Sequence, residues 1–279
     1  PMKNKTVLVT GASGFLGRAL VHNLLAMEAN VVGTGFSESN IKKFERTFGD
    51  SAKIYCVDIA SNYTTLKNIL LQEKVDYVVH AAALKHVGIC EENPTRAIAV
   101  NVQGSKNVVQ ACVEANVKNA IAVSTDKAIN PLCTYGMTKK LMETMFYEHD
   151  FGVFQGVNFL FSSESVLDVW DQLRESNKPI LVNTTAVRFF CTVQQVCDAI
   201  LGNINTKNEV FSVDLCYRIS ISALQDAYST CHDYWNIDTY TPLDIEKEEE
   251  ELPFDEIKTL TPTREEVINM FKEHYQTVP

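Results

Sequence analysis

The sequence is short of positive charge: 25 lysines and arginines stand against 35 aspartates and glutamates, a formal net charge of −10 over 279 residues. That balance excludes a protein built to track a polyanion, so no nucleic acid partner is expected. It leaves room for a small phosphate-bearing ligand, which a cradle of backbone N–H groups binds against the global sign. The eight cysteines, at 56, 90, 112, 133, 191, 197, 216 and 231, include no Cys-x-x-Cys pair, and most sit among apolar neighbours. Such thiols act as small hydrophobes and fit a reducing, intracellular setting. The six histidines have no ligand spacing, so no metal is expected. Apolar runs fall far short of the ~18 residues of a membrane span, and no basic-then-apolar segment opens the chain. Both absences point to a cytoplasmic protein with no membrane partner. Internal repeats and low-complexity linkers are missing as well.

Hydrophobic residues make up 46% and charged residues 22%, which excludes a disordered or collagen-like chain, and 279 residues at ~150 per domain are material for about two domains. Lys5–Thr10 is a short apolar run closed by Gly11, as expected of a strand buried on both faces. The signal recurs at Asn30–Thr34, Lys53–Val57, Val75–Val79 and Asn119–Ser124, with helical periodicity over 15–27, 39–48, 61–72 and 93–115 between them. This alternation predicts an α/β fold, a Rossmann-like doubly wound parallel sheet. Met137, Leu141, Met145 and Phe146 extend the pattern with a helix over Tyr135–His149.

Beyond residue 150 the pattern loosens. A strand is expected at Val153–Phe161, which completes the sheet, and another at Glu209–Val213. Helices are expected at Ser165–Glu175, Val193–Leu201, Ser222–Tyr234 and Glu265–Tyr275. Thr192 with Gln195 three residues on is a capping box for the second of these helices. Glu246–Glu251 is a charge run of the kind that forms a solvated loop or helix face rather than a metal site.

Between the first strand and first helix stands Gly11-Ala12-Ser13-Gly14-Phe15-Leu16-Gly17. The first glycine permits the sharp turn, the second lets backbone approach a pyrophosphate, and the third lets helix pack close to strand. The turn therefore predicts a dinucleotide held by Gly11, Ser13, Gly14, Phe15, Leu16 and Gly17 at a helix N-terminus. The acidic residue that holds an NAD ribose near the end of the second strand is missing; the positions read Gly33-Thr34-Gly35-Phe36-Ser37. Ser37 with Lys42 or Lys43 suits a 2′-phosphate, which favours NADP over NAD; the alternative is that the lysines are solvated helix residues. Asp58, followed by Ile59, stands just after the third strand, where it either hydrogen-bonds the adenine amine or caps the next helix.

Tyr135 and Lys139 are four residues apart, hence on one face of a helix. A phenol of reference pKa near 10 becomes a base for a sugar hydroxyl when a neighbouring cation favours its phenolate. With the glycine turn, His80-Ala81-Ala82-Ala83, Asn101 and Ser124-Thr125, this pair makes the chain resemble the extended short-chain dehydrogenase/reductases, nucleotide-sugar branch. The resemblance implies cofactor contacts from Ala81, Ala82, Ala83, Asn101, Tyr135 and Lys139. His80 itself reads as a packed residue rather than a ligand.

Ala81-Ala82-Ala83-Leu84-Lys85-His86-Val87, Glu91-Glu92-Asn93-Pro94 and Ser124-Thr125-Asp126-Lys127-Ala128-Ile129-Asn130-Pro131 carry a narrower resemblance. They are similar to polysaccharide-biosynthesis dehydratases acting on UDP-N-acetylglucosamine, the C5-inverting 4,6-dehydratases among them. The resemblance implies Tyr135 as base at the C4 hydroxyl and Thr125 at the C4 oxygen, with Lys127 as base at C5 and Asp126 as acid at C6. The bland alternative for Lys127 is a salt bridge to Asp126. Lys85 either faces the sugar nucleotide or is a solvent-exposed lysine. Past residue 150 the likeness thins: the stretch from Val157 to Val166 is shortened, leaving Asn158, while Thr185-Ala186-Val187-Arg188-Phe189-Phe190 keeps an Arg for the diphosphate. The expected organisation is an NADP domain with the catalytic residues at 2–150 and an abridged substrate lobe at 151–279, self-associating as a homodimer or higher oligomer. A 4-reductase or 4-epimerase, and a non-catalytic dinucleotide-binding protein, are the competing expectations.

Overall fold

The computed structural model of the chain describes residues 2–162, 165–240, 252 and 254–277. The acidic run Glu246–Glu251 lies outside the described residues. Two compact units emerge: residues 1–156 with 196–212, and residues 157–195 with 213–279. The first half of the chain runs β1 (Thr6–Thr10), α1 (Phe15–Ala26), β2 (Asn30–Gly35), α2 (Glu38–Phe48), β3 (Ala52–Cys56), α3 (Tyr63–Gln72), β4 (Tyr77–His80), α4 (Val87–Glu92), α5 (Pro94–Ala97), α6 (Gly104–Glu114), β5 (Asn119–Thr125), α7 (Thr134–Glu148) and β6 (Gly152–Gly156). Then follow β7 (Asn158–Phe159), α8 (Val166–Glu175), β8 (Ile180–Asn183), β9 (Val187–Cys191), α9 (Val193–Gly202) and β10 (Val210–Phe211). The chain ends with β11 (Leu215–Ser220), α10 (Ile221–His232), β12 (Ile237–Tyr240), β13 (Lys258–Leu260) and α11 (Arg264–Thr277).

In the first unit seven strands pair in the order β10-β6-β5-β4-β1-β2-β3, every pairing parallel. Their apolar runs bury both faces, as the residues of β4, β5 and β6 do throughout. Strand order reverses between β1 and β4, so a crevice opens beyond their carboxyl ends, where doubly wound sheets bind ligands. The helical path expected over 93–115 begins with Pro94 in its first turn but widens into a π-helical stretch at Ile98–Gln103 before α6.

In the second unit four strands pair as β13-β11-β9-β7, with β9 antiparallel to β11 and the other two pairings parallel; β12 and β8 form a separate parallel pair. Trp170, Tyr228 and Phe271 are fully buried in its core. The capping box at the start of α9 forms both bonds: Thr192 N–H donates to Gln195 Oε1 at 2.7 Å, and Gln195 N–H to Thr192 Oγ1 at 3.2 Å.

Two expectations are corrected. The single strand expected over 153–161 divides at Val157, because β6 pairs with β5 while Asn158 and Phe159 pair with Phe190 and Cys191 of β9. A continuous apolar run does not reveal a change of sheet. The division expected at residue 150 falls instead at Gly156, since β6 is a strand of the first sheet, and residues 196–212 return to that unit with β10 at the sheet edge.

Candidate active site

Gly11 closes β1 with φ of +65°, and a Cβ there would stand 2.8 Å from the Ala82 backbone. A Cβ on Gly17 would stand 2.1 Å from the Gly11 carbonyl oxygen, so α1 packs on the turn only because Gly17 lacks a side chain. Beyond the turn lies a cavity of about 370 Å³ lined by Gly11, Ser13, Gly14, Ser37, Asp58, Ile59, Ala81, Ala82, Ala83 and Lys85 among the expected residues. Phe15, Leu16 and Gly17 form the first turn of α1 behind it, with Leu16 and Gly17 buried. Phe36, Asn40, Leu84, Arg96 and Val100 also line the cavity and were not anticipated. Pro94 at the start of α5 was the available signal for Arg96, because it marks a helix start close to the strand ends.

Two expected cofactor residues lie elsewhere. Lys42 is not in the lining; its ammonium pairs with Glu38 at 3.1 Å on the exposed face of α2. Asn101, fully buried in the π-helical stretch, accepts from Leu84 N–H at 2.8 Å and donates to Leu84 O at 2.9 Å and to Thr138 Oγ1 at 3.1 Å. It braces the cavity wall rather than facing the cavity. Asp58 does not cap α3, whose N-cap is Asn62; its carboxylate accepts from Ala60 N–H at 3.1 Å.

At the end of β5, Thr125 donates to Asp126 Oδ1 at 3.0 Å and accepts from Lys127 N–H at 3.3 Å. Lys127 Nζ lies 3.8 Å from Asp126 Oδ1. Tyr135 and Lys139 share one face of α7, with the Lys139 ammonium 6.0 Å from the Tyr135 ring centroid. Lys139 is 3% exposed and donates to Val123 O at 2.9 Å. Burial, then the Lys85 ammonium, lowers its pKa to about 7, opposed by the Glu143 carboxylate. Desolvation of Tyr135, followed by the Asp126 carboxylate, pushes its phenol above the ordinary value. The depression of Tyr135 expected from Lys139 is not seen, because desolvation and then the Asp126 carboxylate raise the phenol.

Four further buried polar residues, Thr10, His80, Ser105 and Glu143, hold this arrangement. Thr10 Oγ1 accepts from Ala82 N–H at 3.1 Å and reaches His80 Nδ1 at 2.7 Å; His80 Nε2 reaches Ser105 Oγ at 2.9 Å, and Ser105 donates to Asn101 O at 2.5 Å. Since both hydroxyl hydrogens have acceptors in that direction, His80 carries its proton on Nε2. Burial lowers its pKa to about 3, which keeps the ring neutral. Glu143, 2% exposed and four residues beyond Lys139, accepts from Ser124 Oγ at 2.6 Å and Gln155 Nε2 at 2.9 Å. It ties α7 to β5 and β6 while its charge faces Lys139.

Asn158 and Arg188 belong to the second unit. There Asn158 Nδ2 donates to Phe189 O at 3.0 Å, and an Arg188 N–H donates to Val187 O at 3.0 Å. Among the described residues no group of three or more His, Cys, Asp or Glu could hold a metal ion, and no helix is long and apolar enough to cross a membrane.

The glycine turn, the cavity at the strand-order reversal and the Tyr135/Lys139 helix fit a nicotinamide dinucleotide. Comparison with known proteins agrees with the fold. The chain is 32% identical over 212 residues to the UDP-N-acetylglucosamine 4,6-dehydratase (inverting) of Campylobacter jejuni, covering 71% of this chain and 63% of that one. It spans less than two thirds of the length of the curated relatives it matches. Among solved structures, Pen from Bacillus thuringiensis superposes with a TM-score of 0.85 at 23% identity, covering 98% of this chain and 99% of that chain. DesIV of Streptomyces venezuelae, a dTDP-glucose 4,6-dehydratase with NAD and TYD bound, superposes with a TM-score of 0.81 at 16% identity, covering 98% and 97%. Residues 7–257 match the family described as polysaccharide biosynthesis protein, and the chain belongs to that family.

Proposed function

We propose that the chain is an NADP-dependent nucleotide-sugar 4,6-dehydratase acting on UDP-N-acetylglucosamine to give a 4-keto-6-deoxy sugar nucleotide. The observation that carries this reading is the Thr125-Asp126-Lys127 turn at the end of β5, with the Asp126 carboxylate acting directly on Tyr135. Elimination of water from C5 and C6 needs one group to take a proton and another to give one, and this turn supplies both beside the phenol. Tyr135 takes the C4 hydroxyl proton and Thr125 holds the C4 oxygen. Lys127 takes the C5 proton, and Asp126 gives a proton to the departing C6 hydroxyl. NADP, when bound, supplies the hydride acceptor at C4 and the donor at C6, with no net redox change.

The test is NMR of UDP-N-acetylglucosamine incubated with the protein and no added reductant: the expected product is a 4-keto-6-deoxy sugar. A requirement for stoichiometric NADPH would overturn the reading. A second reading, a 4-epimerase or 4-reductase, draws support from the 3.8 Å Lys127–Asp126 ion pair, which is also what a purely structural pair looks like. Lys127→Ala separates the two, because a dehydratase loses elimination while keeping C4 hydride exchange and an epimerase keeps its activity. Val113, Met137 and Leu141, exposed on α6 and α7, support a homodimer within this reading, and sedimentation velocity tests it.

A further inference from the structure

The end of the second strand decides between the two nicotinamide dinucleotides, because it faces the ribose 2′ position. Phe36 and Ser37 occupy it here, and the nearby carboxylate of Glu38 is paired with Lys42 at 3.1 Å. That pairing takes the expected α2 lysine out of the cavity lining. One cation remains in the lining on this side. Arg96, from α5, stands with Phe36, Ser37 and Asn40, its Cζ 5.8 Å from the centroid of the Phe36 ring. An arginine laid on an aromatic face has a fixed guanidinium plane and a free edge of N–H donors, the geometry that grips a phosphate. Its nearest carboxylate, Asp58, lies at 3.9 Å, too long for a hydrogen bond. Asp58 is committed to Ala60 N–H at 3.1 Å. Arg96 thus stands beside the Phe36 ring with one long ion-pair contact to Asp58 that is not a hydrogen bond.

We propose that Arg96 is the residue that selects NADP over NAD, its guanidinium donating to the ribose 2′-phosphate from the face of Phe36 while Ser37 and Asn40 border the same group. This rests on the reading that the glycine-turn cavity takes a dinucleotide. It replaces Lys42 of α2 with a residue 54 positions away in sequence, delivered by α5 in the connection between β4 and β5. A half-exposed site of this kind is screened by salt, so the preference for NADP narrows as ionic strength rises.

Isothermal titration calorimetry of the full chain with NADP⁺, NAD⁺ and adenosine 2′,5′-bisphosphate tests the assignment without any turnover. The native chain is expected to prefer NADP⁺. Arg96→Ala is expected to weaken NADP⁺ and the bisphosphate about 10- to 100-fold, as for loss of a charge-assisted contact, and NAD⁺ less than about 3-fold. Arg96→Lys keeps the charge, loses the fork and falls between, and it stands in if the alanine variant melts early. Equal losses for NADP⁺ and NAD⁺ would overturn the proposal by making Arg96 a wall of the cavity. Equal native affinity for both dinucleotides would overturn it while leaving the dinucleotide reading intact. Failure to bind either would remove both together.

Discussion

The two units bury polar groups for different ends. In the first, His80, Asn101 and Glu143 sit inside an all-parallel sheet and its helices, with both His80 ring nitrogens, the Asn101 amide and a Glu143 oxygen engaged by hydrogen bonds to the strand ends and helices around the cavity. In the second, the polar core is a helix clasp: Tyr228 donates to Asp171 at 2.7 Å and accepts from Arg174 at 3.0 Å, tying α10 to α8 beneath Trp170. One network brackets the carboxyl ends of parallel strands, where chemistry is placed; the other fastens helices to each other. A buried polar network at a topological switch point positions a site, whereas the same chemistry between helices specifies packing.

Substitutions should separate these two roles. The largest effect is expected from Tyr135→Phe, which removes the phenol hydroxyl beside Lys139. Turnover falls by about 10²- to 10⁴-fold, as for loss of a general base, with the melting temperature nearly unchanged. Comparable damage in the second unit is structural: Trp170→Ala, at 1% exposure, is expected to cost about 3–5 kcal/mol and lower a thermal transition by calorimetry. It should leave NADP⁺ affinity as it was. Loss of dinucleotide binding on Trp170→Ala would break the contrast between the units.

The same contrast explains what could be read from the chain. Each strand of the first sheet through β6 is a local apolar run, and the glycine turn and Tyr135/Lys139 pair are local spacings, so sequence alone locates them. Arg96, Asn101, His80 and Glu143 are not local in this sense. Their partners lie at Phe36, Leu84, Thr10 and Ser124, and no spacing along the chain announces a pair that only the βα crossovers create. In the second unit the sequence signal for β8, β9 and β11 is weak because asparagine, arginine or cysteine interrupts their apolar runs. Lys42, expected at the cofactor, stands in the structure beside Glu38 one helical turn away.

A smaller effect sharpens the role of the first network. Glu143→Gln keeps an acceptor for Ser124 and Gln155 and removes the charge that holds Lys139 toward its protonated form, together with a 3.8 Å ion pair to the half-exposed Lys140. Without it the Lys139 pKa falls further below about 7. The alkaline limb of the pH–rate profile should then move to lower pH, while activity on the acid side and the melting temperature change little. An unchanged profile with a lowered melting temperature would make Glu143 a packing residue, and the first unit would resemble the second.

The smallest effect belongs to the second unit and is a pH dependence of stability. His232 packs 4.4 Å from the rings of Tyr228 and Tyr275, with Arg174 and Asp171 of α8 also acting on it; burial, then Arg174, lowers its pKa. Burial lowers His274 as well, against the pull of Asp171. In the unfolded chain these rings take up protons near pH 6.5 and below, and in the folded chain only at lower pH. Acidification from about pH 6.5 therefore favours unfolding, and the stability carried by the neutral rings is lost as the pH falls toward the folded values. His232→Gln removes one of the two titrations, so its melting temperature should decline less steeply than that of the native chain between about pH 6.5 and 5, by a few degrees at most. An identical slope in both proteins would place the acid sensitivity elsewhere, His80 of the first unit being the buried ring with the larger depression, to about 3.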